Sequence, residues 1–356
     1  EILNFEKPFS AVISIPKEQK ELDFLHFYSA EAYLNPTQKP QYDFQFDYQK
    51  YLARQNIHYQ GFIPDKISFK KKESVSFADK IKQKRLDLLL RIDNSSLQPQ
   101  NKAILKGIIL ADRTEIDQEI INHFSKTGLI HILAISGSHM AIIFLMILFV
   151  LNPIFSVKYR NIPIYISLAA IWGFAIFIDY GNSVVRSCIM ITVYYIMIFL
   201  QRKPNLLHSL ALAGMMILSI DTQQLFDVGF QLSYAAVFSI MKFYPVMRKW
   251  WQPENEYLQW IWSLFLVGLS AQIVVLPISL FYFHQFPILF FVSNLVVVPL
   301  LQPILIGGII ALCLGSFGIL PYAIVFVLEK LIALMNFLVA FIAHQEIFII
   351  RNIPFT

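Results

Sequence analysis

The 356 residues are 56% hydrophobic and 15% charged, with a mean hydropathy of +0.55 and a formal net charge of +5. Soluble domains run nearer to about 45–50% apolar and about 25% charged, so a wholly water-soluble globule is excluded. The small net charge names no partner, and two cysteines in apolar segments, Cys188 and Cys313, are too few for a disulfide framework or a zinc site.

Charge is spread unevenly. Residues 1–128 hold 19 of the 29 Lys and Arg and 17 of the 24 Asp and Glu. The sequence therefore divides into a water-facing part and a membrane part. We read 1–73 as a small β-rich domain, 74–128 as an amphipathic helical connector and 129–356 as a transmembrane domain. The chain opens at "EILNFEKPF" with neither an initiator Met nor a signal-peptide pattern, and is expected to be a fragment of a longer protein.

Residues 9–15, "FSAVISI", and 24–34, "FLHFYSAEAYL", favour strands. Tyr48 to Gln55 favours a short helix, with Asn56 as a left-handed stop and a strand at 57–63. The stretch 66–91 is basic, with Lys66, Lys70, Lys71, Lys72, Lys80, Lys82, Lys84, Arg85 and Arg91. Phe77, Ile81, Leu88, Leu89 and Ile92 recur on it at helical spacing. A basic amphipathic helix lies on lipid headgroups or contacts nucleic-acid phosphates; both readings stay open. Two further helices are expected at 99–111 and 115–127.

After Gly128 come about eight hydrophobic stretches: 129–151, 162–180, 184–200, 206–220, 225–243, 258–283, 287–314 and 320–344. The fourth and fifth are short enough to be tilted or re-entrant. Lys158, Arg160, Arg202, Lys203, Lys242, Arg248 and Lys249 follow the odd-numbered stretches, whereas the other loops carry Asp179, Asp221 and Asp227. The positive-inside rule then places the N-terminal part outside the cytoplasmic membrane.

Polar side chains within such stretches face protein or water, because exposure to lipid is costly. The first stretch reads "LIHILAISGSHMAI". As one continuous helix it gathers His131, Ser136, Ser138 and His139 within an arc of roughly 160°. Arg186 starts the third stretch, with Asp179 as its expected partner. Gln231 and Ser233 fall in the fifth, Gln272 and His284 in the sixth, and Asn294, Pro299, Gln302 and Pro303 in the seventh, which is expected to be a broken helix. Glu329 and Lys330 are adjacent in the eighth, so at least one needs a partner elsewhere.

Enzyme motifs are weak. "AISGSH" places Ala134 and Ser138 at the glycine positions of a nucleophile elbow. There is no HExxH and no Gly-rich phosphate loop. No catalytic residue, metal or cofactor is expected.

The motifs resemble those of the ComEC-type competence proteins, the inner-membrane channels of bacterial DNA uptake. Gly128 to His139, "GLIHILAISGSH", is similar to the signature "sGlsHllAiSGlH", with Ile130 and Ser138 as departures. Ala111-Asp112, Val185-Arg186, "GFQLSYAA" at 229–236 and the block from Ser270 through Pro277, Phe283-His284, Asn294-Leu295 and Pro299 follow in family order. "FDYQKYLARQNIHYQGF" is similar to the end of the family's OB-like domain, with Asn56 where a Gly is usual.

The resemblance implies a polytopic α-helical membrane protein with a small extracytoplasmic OB-like part. It implies passage of single-stranded DNA into the cytoplasm, a periplasmic DNA receptor and a cytoplasmic ATPase or helicase as partners, and membrane lipid as surroundings. Full-length members usually have membrane helices before the OB-like domain, and many have a metallo-β-lactamase-like domain after the membrane part. A nuclease activity carried there is not expected of this chain. Lys66, Lys70, Lys71, Lys72, Lys80, Lys82, Lys84 and Arg85 are the candidate DNA contacts. His131, Ser136, Ser138, His139, Arg186, Gln231, Ser233, Gln272, His284 and Asn294 are the candidate channel lining. The competing reading is a secondary transporter, which uses similar helices to close around a small solute.

Overall fold

A computed structural model describes residues 9–15, 22–40, 48–53, 56–64, 67–202, 205–316, 318, 319, 321–345 and 349–351. Lys66, Lys203 and the Phe46-Asp47 start of the "FDY" motif lie outside them. The chain divides into two compact units, residues 1–86 and 87–356.

In the first unit, β1 (Ser10–Ser14) pairs parallel with β4 (Ile57–Phe62), and β4 pairs antiparallel with β3 (Tyr33–Pro36). A second, two-stranded sheet joins β2 (His26–Ser29) to β5 (Ser68–Lys71). The helix α1 (Tyr48–Ala53) stops where expected: Asn56 is left-handed at φ 56° and its N–H bonds to the Ala53 carbonyl. The basic stretch is not one helix. Lys70 and Lys71 belong to β5, because Ser68 to Lys71 satisfy their backbone groups against β2, and α2 (Phe77–Asp93) begins only at Phe77. Residues 77–86 of α2 count with the first unit and 87–93 with the second.

Among its described residues the regular structure of the second unit is helical apart from a short pairing of β6 (Gln285–Pro287) with β7 (Ile349–Arg351). α3 (Pro99–Leu110) and α4 (Gln118–Lys126) match the two expected short helices. Pro99 suits a helix start, where its missing N–H has no partner to lose. Eight longer helices then occupy the hydrophobic stretches in order: α5 (Gly137–Leu151), α6 (Ile162–Phe177), α7 (Asn182–Phe199), α8 (Leu206–Ile220), α9 (Val228–Met247), α10 (Glu256–Phe283), α11 (Phe290–Ser316) and α12 (Tyr322–Ala343). By length and composition α7, α10, α11 and α12 can each cross a membrane; α5, α6 and α8 are apolar but shorter.

Two expectations about these helices fail. The first stretch does not start as a helix at residue 129: residues 130–132 form a 3-10 turn, and Ser136 is extended at φ −118°, ψ 177°. No single helical arc therefore joins His131 to His139. The seventh stretch is not broken, since α11 runs through Pro299 and Pro303. The prolines remove two N–H donors, and packing against α3 and α12 holds the helix together around the freed carbonyls.

The largest core cluster packs Ile104 and Ile108 of α3 against Leu301, Ile304 and Leu305 of α11 and Ile332 and Met335 of α12, all nearly or fully buried. Gly308 permits it, because a Cβ there would overlap Ile109 of α3. A second cluster joins α5, α6 and α7, and a third joins α7, α8 and α9. Glu329 has its partners outside α12: it accepts from the Gln98 N–H (3.1 Å) and Asn101 Nδ2 (2.8 Å), closing the start of α3.

Candidate functional site

The start of α5 is set by its own polar side chains. The Ser136 N–H donates to His139 Nδ1 at 3.2 Å, and Ser136 Oγ lies 2.9 Å from the same nitrogen. Ser138 Oγ is 2.8 Å from Ser136 Oγ. Because Nδ1 accepts from a backbone N–H, the proton of the neutral ring sits on Nε2. That Nε2–H is buried and has no acceptor among the described residues, and His139 is 0% exposed. His131 lies on the 3-10 turn, exposed, with Nδ1 3.2 Å from the Gly128 carbonyl and in electrostatic reach of His139.

α5 meets α7 closely at this point: a Cβ on Gly137 would lie 2.8 Å from Ser187 Oγ. Next to Ser187 is Arg186, 4% exposed. The carboxylate beside it is Asp227, with Oδ1 3.5 Å from Nη1, and not Asp179 as the sequence led us to expect. The reason lies in α9. Asp227 caps that helix, accepting from the Phe230 N–H at 2.8 Å, and α9 packs on α7 so that a Cβ on Gly229 would be 3.3 Å from Arg186 Nη2. Arg186 Nε is buried without an acceptor among the described residues, and so is the Tyr234 hydroxyl one turn further along α9. Tyr234 stacks on Phe230 with ring centroids 4.3 Å apart.

The other candidate lining residues are placed differently. Gln231 is tied up: its Nε2 donates to the Leu225 carbonyl, and its Oε1 accepts from Tyr282 of α10 at 3.0 Å. Asn294 turns back on its own helix to the Phe290 carbonyl. Ser233 and Gln272 are half-buried, and His284 is the left-handed cap of α10 at φ 53°. Seam serines follow the Asn294 pattern: Ser187 and Ser293 bond to carbonyls four residues back, which satisfies them within one helix. The structure thus groups Ser136, Ser138 and His139 at the start of α5, with His131 in electrostatic reach of His139, and sets Arg186 beside Asp227 at the α7–α9 contact; Gln231, Ser233, Gln272, His284 and Asn294 belong to neither group. Tyr234 belongs with Arg186 and was missed. A tyrosine in an apolar run reads as core, and the only available signal was its place in "GFQLSYAA".

In the first unit Lys70 and Lys71 are exposed on β5, interleaved with aromatic rings. Lys70 faces Phe27 across the sheet, and Phe27 and Phe69 are 63% and 71% exposed. Lys72 is 3.0 Å from Asp79, with its Nζ 5.2 Å from the Phe27 ring centroid. On the other sheet, Tyr33 and Phe62 stack at 5.4 Å, both at least half exposed. Lys80 and Lys84 are exposed on α2, where Lys82 and Arg85 are half-buried. Sequence reasoning counted the lysines and missed the exposed rings beside them.

By length and composition four of the described helices can cross a membrane, as in a multi-pass membrane protein. Comparison with known proteins narrows this. A match to the family described as competence protein spans residues 108–355, and the chain belongs to that family. It is 28% identical over 320 residues to ComE operon protein 3 of Bacillus subtilis (strain 168), covering 86% of this chain. The chain spans 38% of the length of that relative. No solved structure matches.

Proposed function

We propose that the chain is the membrane core of a DNA-uptake channel of the inner membrane, passing a single strand into the cytoplasm during natural transformation. The observation that carries this reading is chemical. His139 Nε2–H at the start of α5, and Arg186 Nε–H and the Tyr234 hydroxyl at the α7–α9 contact, are buried without acceptors among the described residues. Leaving such donors unpaired is costly. A DNA backbone is a run of phosphate oxygens that only accept, so it would complete these donors where the helices around them part to admit it.

The first unit lies outside the cytoplasmic membrane in this reading. Its interleaved lysines and exposed rings suit a single strand, since rings stack on bases and lysines neutralise phosphates. A receptor on that side delivers the DNA, and a cytoplasmic ATPase or helicase pulls it. The segment itself makes and breaks no bonds, and needs neither metal nor cofactor.

The test replaces His131, Ser136 and His139 with Leu, verifies membrane insertion, and measures DNase-protected uptake of labelled DNA. Uptake is expected to fall by at least roughly tenfold. Normal uptake by fully inserted protein would remove the polar path.

A further inference from the structure

The second unit holds a cavity of about 280 Å³ where the end of α2, α3, α11 and the start of α12 meet. Its walls are aliphatic, with Leu105, Leu312 and Leu328 among them. Gly315 gives it room: a Cβ at that position would meet nothing within 4 Å. The polar lining is confined to the α2 end, at Arg91, Asn94 and Ser95, and Arg91 is the one charged side chain in the wall. Arg91 is exposed and has no carboxylate partner among the described residues. None of the candidate channel residues lines this space.

Water is a poor occupant. A buried water needs two to four polar partners, and the walls offer none away from the rim. An empty apolar void forfeits the dispersion contacts of every atom around it. A cavity of ~150 Å³ accepts one benzene, so this one takes an aliphatic stretch of about ten to twelve carbons. In a chain with long apolar helices, the surrounding bilayer supplies such stretches at high concentration.

We infer that this cavity is a phospholipid site, holding one acyl chain of a net-anionic glycerophospholipid whose phosphate is gripped by Arg91. The guanidinium fork suits phosphate oxygens. Net charge sets the selectivity: a zwitterionic lipid carries its own cation beside the phosphate and leaves the Arg91 charge uncompensated, whereas phosphatidylglycerol neutralises it. The site ties the end of α2 and the α11–α12 pair to the lipid composition of the membrane. It does not depend on the DNA path proposed above.

The test uses the whole purified protein, delipidated and then equilibrated with vesicles holding equal phosphatidylglycerol and phosphatidylcholine. Tightly retained lipid is counted by native mass spectrometry. The wild type should keep one phosphatidylglycerol in preference to phosphatidylcholine. Arg91→Gln should keep a lipid while reducing that preference roughly three- to tenfold. Gly315→Phe should fill the space and lose the retained lipid of either kind, with an unchanged melting temperature showing that the fold survives. Full retention by Gly315→Phe overturns the cavity as the site, and an unchanged lipid ratio in Arg91→Gln overturns the headgroup assignment. A wild type that retains neither lipid overturns both. DNA uptake enters none of these readouts, so a failed channel reading leaves the result interpretable.

Discussion

Two buried cations in the second unit show opposite solutions to one problem. The Lys106 side chain is 3% exposed, and its ammonium is paired with Asp93 and, at 2.6 Å, with Glu115. Burial works against that charge, but the hydrogen bonds and charges of the two carboxylates outweigh it, so the ammonium's pKa is raised. Arg186 is as deeply placed, yet its one carboxylate neighbour stands at 3.5 Å and its Nε–H points at no acceptor among the described residues. The chain thus completes a buried cation where it serves the fold and leaves one incomplete at the α7–α9 contact. An unfinished cation is costly for stability. Its retention makes sense if an acceptor from outside the chain completes it.

The largest effect that would sharpen this contrast is on uptake. Arg186→Leu should reduce DNA uptake by about 100-fold, the loss of a charged hydrogen-bonding contact in a dry setting. It should leave the melting temperature unchanged or raised, because removing a poorly paired buried charge relieves a cost. Arg186→Lys should insert normally and recover only part of the uptake, since the fork geometry is lost. A destabilised Arg186→Leu protein would place Arg186 with Lys106, as a structural cation.

Much of this was legible in the sequence, for reasons that differ by residue. The apolar runs gave helices at the expected places because lipid-compatible stretches have little other choice of structure. Asn56 and Pro99 act through their own backbone preferences, so their roles are local and readable. The start of α5 is also local, but two signals compete there: the apolar run favours a helix from residue 129, and the Ser136–His139 contacts delay it to Gly137. Asp227 was missed because the partner of Arg186 is fixed by how α9 packs on α7, which no spacing encodes. The exposed rings of the first unit were missed for a similar reason: Phe27 and Phe69 come together only through the register of β2 and β5.

The next effect is on stability. Lys106→Met should cost about 2 kcal/mol, below the value for a fully buried pair because Asp93 and Glu115 keep side-chain exposures of 35% and 58%. The pH dependence has a definite sign. The folded-state pKa of Lys106 is raised above its ordinary 10.5, so its stabilisation is complete below that value and is lost as pH rises through the folded one. Wild-type melting temperature should therefore fall at strongly alkaline pH, and the Lys106→Met protein should lack that part of the fall. Equal alkaline slopes would show that the Asp93–Lys106–Glu115 cluster contributes nothing.

The smallest effect extends the contrast to the first unit, where Lys70, Lys71 and Lys72 are all near water and differ in whether a partner already holds them. Lys72 is committed: it sits 3.0 Å from Asp79, and its hydrogen bond is the main reason the Asp79 carboxyl titrates below the ordinary range. Lys70 and Lys71 are exposed on β5 with no ion pair among the described residues. Each phosphate neutralised on a single strand contributes about 0.7 to the slope of log affinity against log salt. For labelled oligothymidylate binding to the whole protein between about 50 and 200 mM salt, replacing Lys70 and Lys71 by Gln should flatten the slope by about 1.4. Lys72→Gln should flatten it by clearly less than one lysine's share, because binding through Lys72 must first displace Asp79. Equal slopes in all three proteins would leave these lysines to lipid headgroups. A full lysine's share from Lys72 would mean that its bridge to Asp79 opens freely, and that pairing, the property separating Lys106 from Arg186 in the helical unit, decides nothing at an exposed sheet edge.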